Sequence, residues 1–282
     1  MLGYGVGLRS VHYDYILKHW PAVDWFEVIT ENFLEPGGRP RALLRKLREQ
    51  YPIVLHGLSF NLGSNEPLDY EYLAKLKSLK EEIQAEWVSD HLCWTGINGF
   101  TSHDLLPISY TQENLALCAT KILEIQDFLQ TNIVIENPTT YLQFRSSEMP
   151  EWEFINRLVE KTECHVLLDI NNVFVSGFNL GFDAKEYIDA LNPRAIKQFH
   201  MAGHTDNETH LIDTHDHPVR DEVWGLYRHA CARFGPVATL LERDDKIPEF
   251  PEMLRELQLA RELQNQELTQ RSRRSNEKSG SL

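Results

Sequence analysis

Six short apolar runs in this chain end in a side chain that binds metals. Val54-Leu55 leads to His56, Val88-Ser89-Asp90 to His91, and Val134-Ile135 to Glu136. Leu167-Leu168 leads to Asp169, Gln198-Phe199 to His200, and Leu240-Leu241 to Glu242. Asp213-Thr214-His215 adds a carboxylate and an imidazole at i, i+2, which puts both side chains on one side of an extended segment. Asn172, three residues past Asp169, can add one more oxygen. Imidazole nitrogen and carboxylate oxygen suit Fe, Mn, Zn or Co, no cysteine belongs to the set, and ligand type alone does not choose among these ions. Four imidazoles, four carboxylates and an amide exceed what one ion of four to six coordination takes, so roughly two or three ions with bridging carboxylates are expected. The charge argument agrees, because crowded carboxylates raise one another's pKa unless a cation compensates them.

These residues are far apart in sequence, so the fold must gather them. Strand-like runs occur at Gly3–Leu8, Trp25–Thr30, Ile53–His56, Trp87–His91, Ile133–Glu136, His165–Ile170, Ile196–His200 and Val237–Glu242. They are apolar on both faces, as buried parallel strands are. Amphipathic stretches alternate with them: Pro40–Gln50, Tyr70–Ile83, Gln112–Leu129, Trp152–Lys161, Ala184–Leu191, Glu222–Phe234 and Phe250–Leu263, with a weaker one at Ser10–His19. This alternation predicts an α/β fold, a (β/α)8 TIM barrel, with a doubly wound open sheet as the alternative. In a barrel the strand C-termini converge on one mouth, and the six terminal residues ring it. Taken singly, a His or Asp at a strand end is more often a cap or a hydrogen bonder. Six in succession are hard to assign to capping.

Residues 1–265 read as one barrel domain, and 266–282 (QELTQRSRRSNEKSGSL) as a disordered polar tail without apolar period. Of the 12 histidines, five fall between His200 and His217. Asp90, His204, His217 and Arg243 are candidates for holding the ligands or touching substrate, and no catalytic residue beyond the ligands is assigned. His210 reads as a solvated loop residue. His12, His19 and His229 read as helix-surface residues, His103 as a loop residue, His165 as the start of a strand on the opposite face, and Cys93 as a small buried hydrophobe.

The net charge of −14 argues against nucleic acid as partner. No apolar run approaches the roughly 18 residues of a membrane helix, which argues against a membrane. The N-terminus lacks a signal-peptide pattern, and Cys93, Cys118, Cys164 and Cys231 are scattered. A cytoplasmic protein with reduced thiols is expected.

The sequence resembles the multinuclear non-haem iron-dependent oxidative enzymes, the family of the methanobactin-synthesis iron oxidase. The resembling segments include Gly5-Val6-Gly7-Leu8-Arg9, Phe26-Glu27, Glu31-Asn32, Leu55-His56-Gly57, Ser89-Asp90-His91-Leu92, Leu105-Leu106-Pro107 and Ile135-Glu136-Asn137-Pro138. The most specific are Leu167–Val173, His200-Met201-Ala202-Gly203-His204 and Ile212–Val219, and Glu242-Arg243-Asp244-Asp245 closes the set. The resemblance implies a TIM barrel with two or three irons at its mouth, mixed Fe(II)/Fe(III), and O₂ as co-substrate. The family's ligand positions match His56, His91, Glu136, Asp169, Asn172, His200, Asp213, His215 and Glu242. One departure is Leu180, where the family usually carries His. The implied chemistry is oxidation of cysteines in a ribosomally synthesised precursor peptide, often with a leader-recognising partner protein. Hydrogen abstraction at the cysteine β-carbon would lead to oxazolone–thioamide, thiooxazole or β-carbon-excision products.

Three other readings compete. An endonuclease IV-like zinc hydrolase has a similar ligand pattern, but the charge and Asn172, where that family tends to have His, disfavour it. A xylose-isomerase-like sugar isomerase does not require His56, His91 and the Asp213/His215 pair together. A non-catalytic metal-binding interaction module has no need of four clustered carboxylates.

Overall fold

The computed structural model describes residues 2–97 and 100–279. Eight parallel strands close into a barrel: β1 Tyr4–Gly7, β2 Trp25–Ile29, β3 Ile53–His56, β4 Val88–His91, β5 Val134–Glu136, β6 His165–Asp169, β7 Ile196–Met201 and β8 Ala238–Leu241. Each neighbours the next and β8 returns to β1, which excludes the open sheet. Helices cover the outside, and local chemistry fixes their ends. Asp69 accepts from the Glu71 and Tyr72 N–H groups, and Thr111 from Asn114 N–H. Gln84, Gln130 and Glu163 end their helices in the left-handed conformation.

The barrel interior follows the period of two that strands impose. Trp25, Val54, Trp87, Val134, Leu167 and Leu240 form a buried apolar layer. Two residues further along the same strands, or just past their ends, stand Glu27, His56, Ser89, Glu136, Asp169 and Glu242, all buried. The alternation that builds the core therefore also builds the polar floor of the mouth. Strand register does the rest, pairing His91 with Glu136 and Asp169 with His200.

Three departures from the sequence expectations have physical causes. The strand expected to run to Ile170 stops at Asp169, and a helix, Ile170–Leu180, follows without a loop. Asp169 ends the strand and caps the helix, its Oδ1 accepting from Asn172 N–H at 2.6 Å. A hairpin of strands Trp94–Ile97 and Phe100–Leu106 extends above β4, so His103 is in a strand rather than a loop. None of its described residues is buried, which hides them from a search for buried strands. The tail expected from Gln266 onward is instead helical as far as Ser279, within a helix that begins at Phe250. That stretch holds no Gly or Pro before Gly280, and Glu267 pairs with Arg228 at 2.8 Å. Residues 280–282 of the expected tail lie outside the described residues. This last helix packs across β1 and β8, where the barrel closes.

No helix among the described residues is long and apolar enough to cross a membrane. All four cysteines, Cys93 among them, are free and buried.

Candidate metal centre

The mouth gathers the residues from six strand ends, the middle of β2 and one loop. His56 and His91 both present Nε2 to Glu136 Oε2, each at 3.2 Å. Their other nitrogens are committed. Ser89 Oγ donates to Leu55 O, so His56 Nδ1–H donates to Ser89 Oγ at 2.8 Å. His91 Nδ1–H donates to the Gly57 carbonyl at 3.2 Å. A Cβ on Gly57 would come within 2.7 Å of Asp90 Oδ2, so a residue without a side chain belongs there. With Nδ1 so used, both rings turn Nε2 toward the same carboxylate oxygen, an arrangement that a shared metal ion, or a proton on the ring, makes favourable. Holding a ligating imidazole through its far nitrogen is how metal sites orient their rings.

His200 is fully buried between acids. Its Nε2 is 2.9 Å from Glu27 Oε1, and its Nδ1 is 3.1 Å from Glu242 Oε2 and 3.6 Å from Glu136 Oε1. Behind it, Trp87 Nε1–H donates to Gln198 Oε1 and Gln198 Nε2–H to Glu27 Oε2, both at 2.7 Å. His215 closes the ring from the loop after β7. Its Nε2 is 2.7 Å from Asp213 Oδ1 and its Nδ1 is 3.2 Å from Glu242 Oε2. It sits at φ 47°, a costly conformation for a residue with a Cβ, and Asp244 N–H holds its carbonyl at 3.0 Å.

Four overlapping triads result, each with its ligand atoms within 4.8 Å of one another: Glu27–His56–His200, His56–His91–Glu136, Glu136–Asp169–His200 and Asp169–His215–Glu242. Glu136 Oε2, Asp169 Oδ2 and both nitrogens of His200 and of His215 are buried without a hydrogen-bond partner. Such atoms are costly unless something else satisfies them, and this donor set fits more than one metal ion. The protein's own charges divide the protons unevenly. Burial, Glu136 and Asp213 push Asp169 well above the usual carboxylate range. Against burial, His91 and His200 hold Glu136 low, and His200 and His215 hold Glu242 well below its range. Against burial, Glu27 and Glu136 raise His56 to about 9, while burial lowers His91.

The remaining candidates fall behind the mouth. Asn172 lines the cavity, but its amide is engaged: Nδ2–H donates to Asn137 O at 3.1 Å, and Oδ1 lies 2.7 Å from the Thr139 hydroxyl. Asp213 is held by Asn171 Nδ2–H at 2.7 Å, and His204 Nδ1 meets Asn171 Oδ1 at 2.8 Å. His204 therefore acts on Asp213 through one intermediary. Asp90 is fully buried and accepts from the Ser59 and Phe60 N–H groups at 3.0 Å, anchoring the loop after β3. Arg243 turns away to Glu256, and His217 is half exposed on Asp216. The mouth opens into a cavity of about 410 Å³ whose wall includes Arg9, Leu105, Pro138 and Tyr141. Arg9 reaches Glu242 at 3.3 Å and Asp244 at 2.5 Å, fixing the rim.

Sequence reasoning missed Glu27 as part of the centre. The signal was present: Glu27 stands two residues past the interior Trp25, as His56 stands past Val54 and Glu136 past Val134. It was masked because Glu27 lies inside its strand rather than at the end. His12 also differs from its expected place on the surface: it is buried, with Nε2 2.8 Å from Pro248 O.

Comparison with known structures supports the architecture. A D-psicose 3-epimerase from Clostridium cellulolyticum H10 superposes with a TM-score of 0.61 at 13% identity, over 94% of this chain and 99% of that one. Endonuclease IV from Thermus thermophilus gives 0.60 at 18% identity, over 92% and 99%. At such identities these share the fold alone. In sequence, a UPF0276 protein of Rhizorhabdus wittichii is 49% identical over 264 residues, covering 93% of this chain and 95% of its own length. One from Caulobacter vibrioides is 47% identical over 260 residues, covering 92% and 93%. The family model described as RiPP precursor modification enzyme MbnB/TglH/ChrH matches residues 3–265, a span that holds every residue of the mouth. This barrel, with its ring of buried imidazoles and carboxylates, belongs to that family of peptide-modifying enzymes.

Proposed function

We propose that the chain is a multinuclear iron, O₂-dependent oxidase that modifies cysteine residues of a precursor peptide. The observation that carries this reading is the pair of Nε2 atoms of His56 and His91 converging on Glu136 Oε2, continued by the buried atoms of Asp169, His200 and His215 that make no hydrogen bond. His56, His91 and Glu136 would hold one ion, Asp169, His215, Glu242 and Asp213 another, and His200 with Glu136 the ground between. Asn172 is assigned to the same set, its Oδ1 beside Thr139 and its amide on Asn137. Iron supplies a Lewis acid for the cysteine thiolate and a redox partner for O₂.

The chain's own residues do the positioning. Ser89, Gly57 and Glu27 set the imidazole orientations, and Asn171 with His204 sets Asp213. Leu105, Pro138 and Tyr141 give the cavity apolar wall beside the acids, suited to keeping water from a cysteine side chain. Leader recognition by a partner protein and a cytoplasmic setting belong to the same proposal.

The test is anaerobic purification, metal content by mass spectrometry with EPR, and O₂ uptake with a Cys-bearing precursor peptide. Roughly two or three irons per chain, and uptake abolished by Cys→Ser in the peptide, are expected. Zinc alone, with no O₂ chemistry after iron reconstitution, would overturn the proposal in favour of hydrolysis.

A further inference from the structure

A second cavity, of about 300 Å³, lies behind the loop that walls the mouth. Along that loop the side chains alternate. Thr139 and Tyr141 face the mouth, while Thr140 and Leu142 line the second cavity. Thr139 and Tyr141 are fixed to Asp213, through its Oδ2 at 2.9 Å and its N–H at 2.9 Å. The two cavities are thus the two sides of one short segment.

The second cavity has the composition of a cation cage. Trp152, Phe182 and Tyr187 line it and pack on one another, Trp152 edge-on to both others and Phe182 stacked on Tyr187 with centroids 5.9 Å apart. Among these rings stands one carboxylate, Glu151, at the first position of the helix Glu151–Thr162. Glu151 is 8% exposed, and its Oε1 has no hydrogen-bond partner. The hydroxyls of Tyr110, Thr140 and Tyr187, all buried and all lining the same cavity, make no well-formed hydrogen bond, and the Tyr110 hydroxyl stands near enough to the Glu151 carboxyl to favour its charged form. Among the described residues no Lys, Arg or His ion-pairs with Glu151. Burial pushes its carboxyl up to about 8, the behaviour of an acid without a counter-charge. An apolar guest would leave these polar atoms unsatisfied. A cation at the end of an alkyl stem would meet carboxylate, hydroxyls and ring faces together.

We propose that this cavity is a subsite for a basic side chain, ammonium or guanidinium, of the peptide being modified. The peptide as source rests on the reading of the mouth above; the cation chemistry does not. The rim residues Leu142, 48% exposed, and Phe144, 38% exposed, offer apolar surface to the stem of such a side chain. A peptide crossing the loop would place one residue in the mouth and a basic neighbour, a few positions away, in the cage. The cage would then select which cysteine is presented.

The experiment titrates the full chain with N-acetyl-arginine methylamide, N-acetyl-lysine methylamide and the neutral N-acetyl-norleucine methylamide, followed by NMR. At least one basic probe should bind ten-fold or more tightly than norleucine. Glu151→Gln should remove that preference, and Leu180→Trp, which fills the cavity from its lining, should abolish binding. Both variants are first checked for a cooperative thermal transition no lower than wild type, and either one that folds suffices. His91→Gln, at the mouth but without contact to the 139–142 segment, should leave the preference intact, which separates this subsite from the metal reading. Equal binding of all three probes, no binding to wild type, a preference that survives both cavity variants, or its loss in His91→Gln would each overturn the proposal.

Discussion

The barrel mouth and the cavity beside it are both buried and both rich in unsatisfied polar atoms, yet they handle charge in opposite ways. At the mouth, carboxylates and imidazoles interleave, and each acid finds an imidazole within about 3–4 Å. Their charges act on one another, so Asp169 is pushed up while the neighbouring imidazoles hold Glu136 and Glu242 down. In the side cavity a single carboxyl stands among rings with no cationic side chain beside it among the described residues, only the Tyr110 hydroxyl. Several acids pointed at common spaces fit several ions held by the protein. One acid in an aromatic box fits one monovalent guest that comes and goes.

The contrast can be broken first at the mouth. Glu136→Gln takes away the oxygen that His56 and His91 both face, and should reduce turnover by more than ~100-fold, beyond what an outer partner costs. Metal analysis of the same sample should show at least one ion lost per chain. Glu27→Gln tests whether Glu27 holds His200 or is a ligand itself. As a positioning residue it should cost about 10–100-fold in metal affinity, read by competition with a chelator. A loss equal to that of Glu136→Gln would move Glu27 into the ligand set.

The side cavity gives the opposite kind of signal. Glu151 has a folded pKa of about 8 against an ordinary 4.5, so the folded state keeps a proton that the unfolded chain releases. Stability therefore falls as pH rises from 4.5 to 8. Glu151→Gln should stabilise the chain by about 4 kcal/mol at pH 8 and by less than about 1 kcal/mol at pH 5, seen as a melting temperature raised far more at the higher pH. An equal gain at both values would mean the carboxylate is already paired. The smallest effect belongs to the hydrogen-bond chain behind Asp213. His204→Phe leaves Asn171 one bond short, about 1 kcal/mol, and should change metal affinity only a few-fold.

The mouth was largely legible because its parts sit at strand ends, where one periodicity marks both the element and the direction of its last side chain. The Ile170–Leu180 helix was not. Its Ile, Val and Phe residues prolong the apolar run of β6, and only the cap bond of Asp169 to Asn172 N–H ends the strand. The spacing that suggested Asn172 is also the i, i+3 relation of that cap, which uses its backbone N–H and not its side chain. Glu151 was illegible for another reason. An acid at the start of a helix is ordinary, and its isolation comes from rings supplied by separate elements that no local pattern connects.

The final helix, Phe250–Ser279, lies over the join between β1 and β8, with Arg261 Nη2 3.0 Å from Asp24 Oδ2 and its guanidinium 4.8 Å from the Tyr4 ring centroid. On the ribosome this imposes a sequence of events. β1 emerges first and must wait for β8, from Gly7 to Ala238, on the order of ten to fifty seconds of synthesis. During that interval one edge of the growing sheet is exposed to wrong partners. The segment that covers the seam follows β8 in the chain, so the nascent barrel completes its outer wall only after its last strand is made.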